Sequence, residues 1–228
     1  MTIEENVKKI MSNVDAAKAA SSYSNQSVSV IAVTKYVGVK EAKEVVDQGI
    51  SHLAENRVEL FLEKYEALKE RELTWHLIGN LQRRKVKNVI NFVDYFHALD
   101  SVKLAQEISK RAEHPIKCFA EVNISGEASK HGFSKAELLS ALTELSELAH
   151  LEIVGLMTMA PFEATEEECH NIFGQLKKLQ VEISEMNLPK IPCTELSMGM
   201  SRDYEIAIQE GATFVRIGTE ILKTCEPR

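Results

Sequence analysis

The sequence predicts an α/β protein built as a single (β/α)8 TIM barrel with an extra N-terminal helix. Eight short runs rich in β-branched residues alternate with amphipathic segments along almost the whole chain. Each connection is long enough for a crossover helix, which is typical of a parallel sheet. The length of 228 residues is near the roughly 250 residues common for such barrels. A doubly wound open sheet is the alternative.

The elements can be assigned in chain order. Residues 3–22 are polar and alanine-rich and are predicted to form the extra helix. The predicted strands are 28–35, 51–56, 73–79, 95–100, 116–125, 151–159, 194–199 and 212–218. The predicted helices are 39–49, 57–70, 82–93, 101–113, 134–148, 165–186 and 201–211. No Pro-rich or Gly/Ser-rich linker divides the chain, so residues 1–228 are expected to form one domain.

Composition narrows the function classes. The net charge of −7, from 27 basic and 34 acidic residues, disfavours nucleic acid as a partner. No stretch approaches the roughly 20 apolar residues that span a bilayer, and the first ten residues lack the apolar core of a secretory signal. The four cysteines lie far apart, with no metal-ligand spacing. We therefore expect a cytoplasmic protein that binds neither membrane nor metal.

Lys35 is the first candidate for chemistry. Functional residues of a barrel gather at the C-terminal ends of the strands, and Lys35 ends the apolar run 28–34. Desolvation favours the neutral, nucleophilic amine, which suits Schiff-base chemistry with a carbonyl compound. The alternative is a lysine that extends into solvent at the end of its strand.

Two small-residue loops are predicted at the ends of the last two strands. The segment 197–201 (SMGMS) opens a helix, and the segment 216–219 (RIGT) ends the eighth strand. Loops after strands seven and eight are the usual phosphate site of this barrel, and backbone N–H groups at a helix N-terminus favour anions. An ordinary tight turn is the alternative.

Several polar residues have two possible roles. Arg216 in the barrel interior would need either an acidic residue or a ring nitrogen of a cofactor as its partner. Asn56 and Asn123 could orient a ring or cap their loops. His76 and His97 lie in predicted strands, and we interpret them as hydrogen-bonded core residues.

Seven segments together resemble one protein family over nearly the whole chain. They are IAVTK (31–35), ENRVE (55–59), WHLIGNLQRRK (75–85), VDYFHALDS (93–101), EVNISGEASKHGF (121–133), GLMTMAP (155–161) and ELSMGMSRDYEIAIQEGATFVRIGTEI (195–221). This pattern resembles the YggS/PROSC family of pyridoxal 5′-phosphate (PLP) homeostasis proteins, which are similar to the N-terminal barrel of alanine racemase. The chain departs from the family after Lys35, where it reads Tyr36-Val37-Gly38, and near the C-terminus at 221–223.

The resemblance implies a set of cofactor-binding residues. Lys35 would carry PLP as a Schiff base. Arg216 would face the pyridine nitrogen, and Asn56 would lie near the ring. The residues implied around the phosphate are Ser197, Gly199, Ser201, Gly218 and Thr219.

The function implied is PLP homeostasis without dedicated turnover. The protein would buffer PLP and supply it to PLP-dependent apo-enzymes, and we expect it to be a monomer. An amino-acid racemase of the alanine racemase type is the alternative. The chain ends soon after the eighth strand, which argues against a racemase, because such racemases take a second base from a C-terminal domain. An interaction module without cofactor is disfavoured by the intact Lys35 and by the segments 197–201 and 216–219.

Overall fold

A computed structural model of the chain describes residues 2–126 and 131–225. Residues 127–130 of the matching segment 121–133 lie outside this range. The strands are β1 Ser29–Val33, β2 His52–Glu55, β3 Thr74–Leu77, β4 Tyr95–Leu99, β5 Ile116–Glu121, β6 Leu151–Met157, β7 Glu195–Met200 and β8 Phe214–Ile217. The helices are α1 Ile3–Ala20, α2 Val39–Asp47, α3 Val58–Leu68, α4 Arg83–Val89, α5 Val102–Arg111, α6 Lys135–Glu147, α7 Glu166–Glu185, α8 Tyr204–Gln209 and α9 Thr219–Leu222, with a 3-10 turn at Ile90–Phe92.

The eight strands form one closed, parallel barrel in sequence order. The barrel closes because β1 pairs with β8 as well as with β2. The predicted (β/α)8 architecture is therefore confirmed, and the open doubly wound sheet is excluded. No helix within the described residues is both long and apolar enough to cross a membrane.

The predicted extra helix is α1, which packs outside the barrel against α8 and α9. Its buried apolar side chains recur at helical spacing from Ile3 to Ala17. A capping box between Thr2 and Glu5 begins the helix. The Asn6 amide donates a buried hydrogen bond of 2.9 Å to the backbone carbonyl of Ile221. These contacts fix the helix to the end of the chain that carries β8.

The strand register shows which side chains face the barrel interior. Ile31 on β1 pairs with both His52 on β2 and Arg216 on β8. Laterally paired residues of a parallel sheet point to the same face, and residues two apart along a strand do so as well. Val33 therefore points toward the barrel axis like Ile31, and Lys35 follows in the turn after β1, at the C-terminal mouth.

The structure corrects several predicted boundaries. Strand β1 ends at Val33 and not at Lys35, so Lys35 belongs to the following turn. Strand β7 continues to Met200, and α8 begins only at Tyr204, so most of the segment 197–201 is strand and not a loop that opens a helix. A short helix, α9, follows the eighth strand, where no helix was predicted.

Candidate functional site

Lys35 lies at the barrel mouth, two residues beyond β1. Its Nζ is 4.9 Å from the centroid of the Tyr36 ring. Among the described residues no carboxylate forms an ion pair with it. The side chain is partly buried, and it presents a reachable amine at the mouth.

The turn that carries Lys35 rests on a fully buried ion pair. Lys64 of α3 and Glu55 of β2 are 2.5 Å apart, and both side chains are inaccessible to solvent. Lys64 also donates a hydrogen bond of 2.9 Å to the carbonyl of Thr34. The Thr34 hydroxyl donates to Glu55 at 2.6 Å. Two hydrogen bonds from this ion pair therefore fix Thr34, the residue that immediately precedes Lys35.

Asn56 lies at the same end of the barrel as Lys35, directly after β2. Val33 at the end of β1 pairs with Ala54 near the end of β2, so the segments that carry Lys35 and Asn56 leave neighbouring strands. Gly79 of the next loop approaches the Asn56 backbone so closely that a Cβ there would lie 2.0 Å from the Asn56 carbonyl oxygen. Only glycine fits at this contact. Asn123, by contrast, caps its own loop by accepting the Gly126 N–H at 3.0 Å.

A cluster of donors follows β8 at the same end of the barrel. The backbone N–H groups of Gly218 and Glu220 both point at the Ser201 hydroxyl oxygen, at 3.3 and 3.4 Å. Thr219 lies between them and is exposed. Two backbone donors that converge on one oxygen form a cradle that suits an oxyanion. The cluster contains no basic side chain.

Arg216 lies inside the barrel, 4% exposed. Its Nη1 donates to the Ser197 hydroxyl at 2.5 Å, and its Nη2 donates to the Thr158 carbonyl at 3.1 Å. Burial lowers the pKa of Arg216 to about 10, although Asp203 and Glu121 favour its charged form. Arg216 is therefore a buried cation, and among the described residues no carboxylate forms an ion pair with it.

The structure gives Ser197 and Gly199 other contacts than the cradle. The fully buried Ser197 hydroxyl is bonded to Arg216 and lies 2.8 Å from His97 Nδ1, within the barrel. Gly199 has a φ of +91°, and a Cβ there would lie 2.5 Å from the Ala207 Cβ of α8. Close packing of α8 is thus sufficient reason for a glycine at this position. Of the residues that the resemblance implies around a phosphate, the structure brings together Ser201, Gly218 and Thr219.

Three residues near Arg216 escaped the sequence analysis. Thr158 contributes its carbonyl, while Asp203 and Glu121 contribute negative charge. Burial raises the pKa of Glu121, with the charge of Asp100 adding to the effect. The Oε2 atom of Glu121 is buried without a hydrogen-bond partner in the described structure. A carboxylate directly after the apolar residues 118–120 at the end of β5 was the available signal.

Two tyrosines, Tyr36 and Tyr204, lie close after β1 and β7 but differ in position. Tyr36 is 59% exposed beside Lys35. Tyr204 is buried on the outer side of the barrel, where its hydroxyl accepts a hydrogen bond of 3.0 Å from Asn13 of α1. The Tyr204 hydroxyl is therefore directed toward α1 and not toward the mouth.

Comparison with known proteins agrees with this arrangement. The family described as "Alanine racemase, N-terminal domain" matches residues 6–224. A pyridoxal phosphate homeostasis protein of Aquifex aeolicus is 37% identical over 218 residues, covering 94% of this chain and 95% of that protein. This chain belongs to the pyridoxal phosphate homeostasis protein family. The resemblance stated from the sequence motifs is thereby confirmed.

Solved structures separate the family from its distant relatives. PipY of Synechococcus elongatus, solved with PLP bound, has a TM-score of 0.85 and 32% identity, and the match covers 96% of this chain and 99% of PipY. An alanine racemase of Clostridium difficile has a TM-score of 0.73 at 17% identity, and the match covers 95% of this chain and 56% of the racemase. The racemase therefore shares the barrel fold alone with this chain.

Proposed function

We propose that this chain binds PLP as a Schiff base on Lys35 and takes part in PLP homeostasis, buffering the cofactor and supplying it to apo-enzymes without a dedicated turnover. The observation that carries the proposal is a buried cation, Arg216, which forms no ion pair with a carboxylate of the described residues and lies below a mouth that holds a reachable lysine and the donors around Ser201. The proposal includes a monomeric state and residues 1–228 as one domain.

The groups of PLP match this site one by one. When bound, PLP supplies an aldehyde that condenses with an amine and a ring that withdraws electrons. Lys35 provides the amine. Ser201 and the N–H groups of Gly218 and Glu220 provide neutral donors for the phosphate. Arg216 provides a donor for the ring nitrogen, and Asn56, which follows β2 at the same mouth, contacts the ring.

Loss of a cradle donor should weaken PLP binding. In Ser201→Ala and in Thr219→Val, we expect the dissociation constant for PLP to rise by the equivalent of about 1.5–3 kcal/mol, the usual cost of a lost hydrogen bond to a charged group. An equilibrium titration followed by absorption would measure this change. Ser51→Ala is the matched control, because Ser51 is exposed at the opposite end of the barrel. An unchanged dissociation constant for PLP in both variants would show that the phosphate does not bind in this part of the mouth.

Racemase activity should be negligible, and this tests the proposed function directly. Racemisation requires proton removal from one face of the substrate Cα and delivery to the other, and Lys35 can serve one face only. Tyr204 bonds to α1 outside the barrel, which leaves Tyr36 as the tyrosine beside Lys35 in the described structure. Arg216 is also a cation, so it disfavours a proton on a ring nitrogen that faces it.

The test uses one sample of PLP-loaded protein. We expect one PLP per chain by absorption and no interconversion of the alanine enantiomers at rates near the roughly 1–10³ s⁻¹ of ordinary enzymes. Turnover in that range would contradict the homeostasis role. If such turnover is lost in Tyr36→Phe and retained in the control Tyr65→Phe on α3, Tyr36 would be identified as the second base.

A further inference from the structure

Three histidines form a continuous chain of hydrogen bonds through the barrel interior. His52 Nδ1 lies 2.9 Å from His76 Nε2, and His76 Nδ1 lies 2.8 Å from His97 Nε2. His97 Nδ1 lies 2.8 Å from the Ser197 hydroxyl, which in turn accepts from Arg216. This series of hydrogen bonds, here called the histidine relay, begins at His52, the first residue of β2 at the N-terminal end of the barrel (the barrel floor), and ends at Arg216.

The interior around the relay is apolar and buried. His76 and His97 are both 0% exposed. The Phe119 ring stacks on His97 with the centroids 4.5 Å apart, and the Tyr95 ring stacks on His76 at 4.9 Å. Burial lowers the pKa of both histidines well below the ordinary value. Each ring is therefore neutral, with one nitrogen that donates and one that accepts.

Arg216 determines the direction of the donors along the relay. A guanidinium can only donate hydrogen bonds, so Ser197 Oγ accepts from it and must give its own proton to His97 Nδ1. The proton of His97 then lies on Nε2 and is donated to His76 Nδ1. The proton of His76 likewise lies on Nε2 and is donated to His52 Nδ1. The reverse order would leave the buried Ser197 hydroxyl proton without an acceptor among the described residues, which is costly.

His52 is the end of the relay that solvent reaches. It is partly exposed, whereas the other two histidines are buried. An added proton can enter His52 only at Nδ1, the atom that accepts from His76. In the reversed state the relay holds one proton more, taken from solvent, His76 and His97 carry their protons on Nδ1, and the positive charge resides on His52, which then donates from Nδ1 to His76 Nε2. Ser197 Oγ then faces two donors, His97 and Arg216.

We propose that the histidine relay positions Arg216 against the cofactor ring. We also propose that protonation of His52, at the N-terminal end of the barrel strands, changes the contact between Arg216 and the ring. The inference rests on the proposed PLP site, because Arg216 acts there on the ring nitrogen. In this role His52, His76, His97 and Ser197 are positioning residues. None of them needs to touch the cofactor.

Other charges along the relay bear on its pH response. Burial lowers the pKa of His52, and Asp94 partly opposes this. The Lys117 Nζ lies 5.1 Å from the centroid of the Tyr95 ring. Charged and titratable groups that face the relay or its ends are Asp94, Tyr95, Lys117, Arg216, Glu121 and Asp203. Because the pKa of His52 is lowered, its protonation falls below the ordinary histidine value of about 6.5.

The direct test is nitrogen NMR of histidine in the protein labelled at its imidazole nitrogens, without PLP, at pH 8. We expect His52, His76 and His97 to be neutral, each with its proton on Nε2. Assignment uses single His→Gln variants. A proton on Nδ1 of any of the three, or a charged ring at this pH, overturns the relay.

The second test follows the absorption band of PLP-loaded protein against pH. We expect one shift of the band with a midpoint below about pH 6.5. His52→Gln should lose this shift, because glutamine does not titrate, while the control His114→Gln at an exposed surface position should keep it. An unchanged profile in His52→Gln overturns the coupling. Absence of any PLP absorption band in the wild-type protein contradicts the PLP site instead. The histidine tautomers measured without PLP then show by themselves whether the relay exists.

Discussion

Lys35→Ala is expected to abolish covalent retention of PLP and the visible absorption band that accompanies it. The described structure gives Lys35 no hydrogen bond or ion pair, and its Nζ lies over the exposed Tyr36 ring. Removing the side chain should therefore leave the free energy of unfolding within about 0.5 kcal/mol of wild type. Absorption after gel filtration measures retention, and chemical denaturation measures stability.

The neighbouring lysines provide the controls for this variant. Lys40 is exposed on α2, five residues further along the chain, and Lys40→Ala should retain the band in full. Lys64 is near Lys35 in space, but its Nζ is buried and donates to Glu55 and Thr34, so it cannot replace Lys35. A band of normal intensity in Lys35→Ala would contradict the assignment of the attachment point.

Lys64→Met is expected to destabilise the protein by about 3–5 kcal/mol, because it leaves Glu55 as a buried charge without its partner. Glu55 already has one oxygen, Oε2, that is buried without a hydrogen bond in the described structure. For a chain of this size the loss corresponds to a fall in melting temperature of about 2–4 °C for each kcal/mol. Thermal and urea denaturation would measure it.

A double variant and a surface pair make this prediction specific. Lys64→Met combined with Glu55→Leu should recover much of the lost stability, because a buried ion pair can be replaced by apolar residues of similar size. Lys69→Met breaks the exposed pair between Lys69 and Glu66 at the end of the same helix and should have a much smaller effect. Equal destabilisation by Lys64→Met and Lys69→Met would contradict the buried role of Lys64.

The fold could be predicted from the sequence because each strand and helix carries its own local pattern. Eight apolar runs separated by amphipathic segments are consistent with few architectures. The boundary at β7 could not be predicted in the same way. The small residues around Gly199 predict a loop. In the structure Gly199 lies within β7, where α8 packs against its backbone. Packing between two elements cannot be recognised from the local sequence pattern of either element alone.

The site was predicted in part. The position of Lys35 close after the end of β1 followed from local pattern, and the need of Arg216 for a partner followed from its expected place inside the barrel. That partner proved to be Ser197 and a carbonyl, not an acidic side chain. The histidine relay depends on the register of β2, β3 and β4, which no spacing within one segment encodes. His76 and His97 were correctly interpreted as hydrogen-bonded core residues, but their partners were not foreseen.

The most direct test of the central claim is chemical mapping of the attachment point. PLP-loaded wild-type protein would be reduced with borohydride, digested and analysed by mass spectrometry. We expect one stable pyridoxyl label per chain, located on Lys35. A label on another lysine in place of Lys35, or a loaded protein that yields no label at all, would contradict the claim that this barrel holds PLP through Lys35.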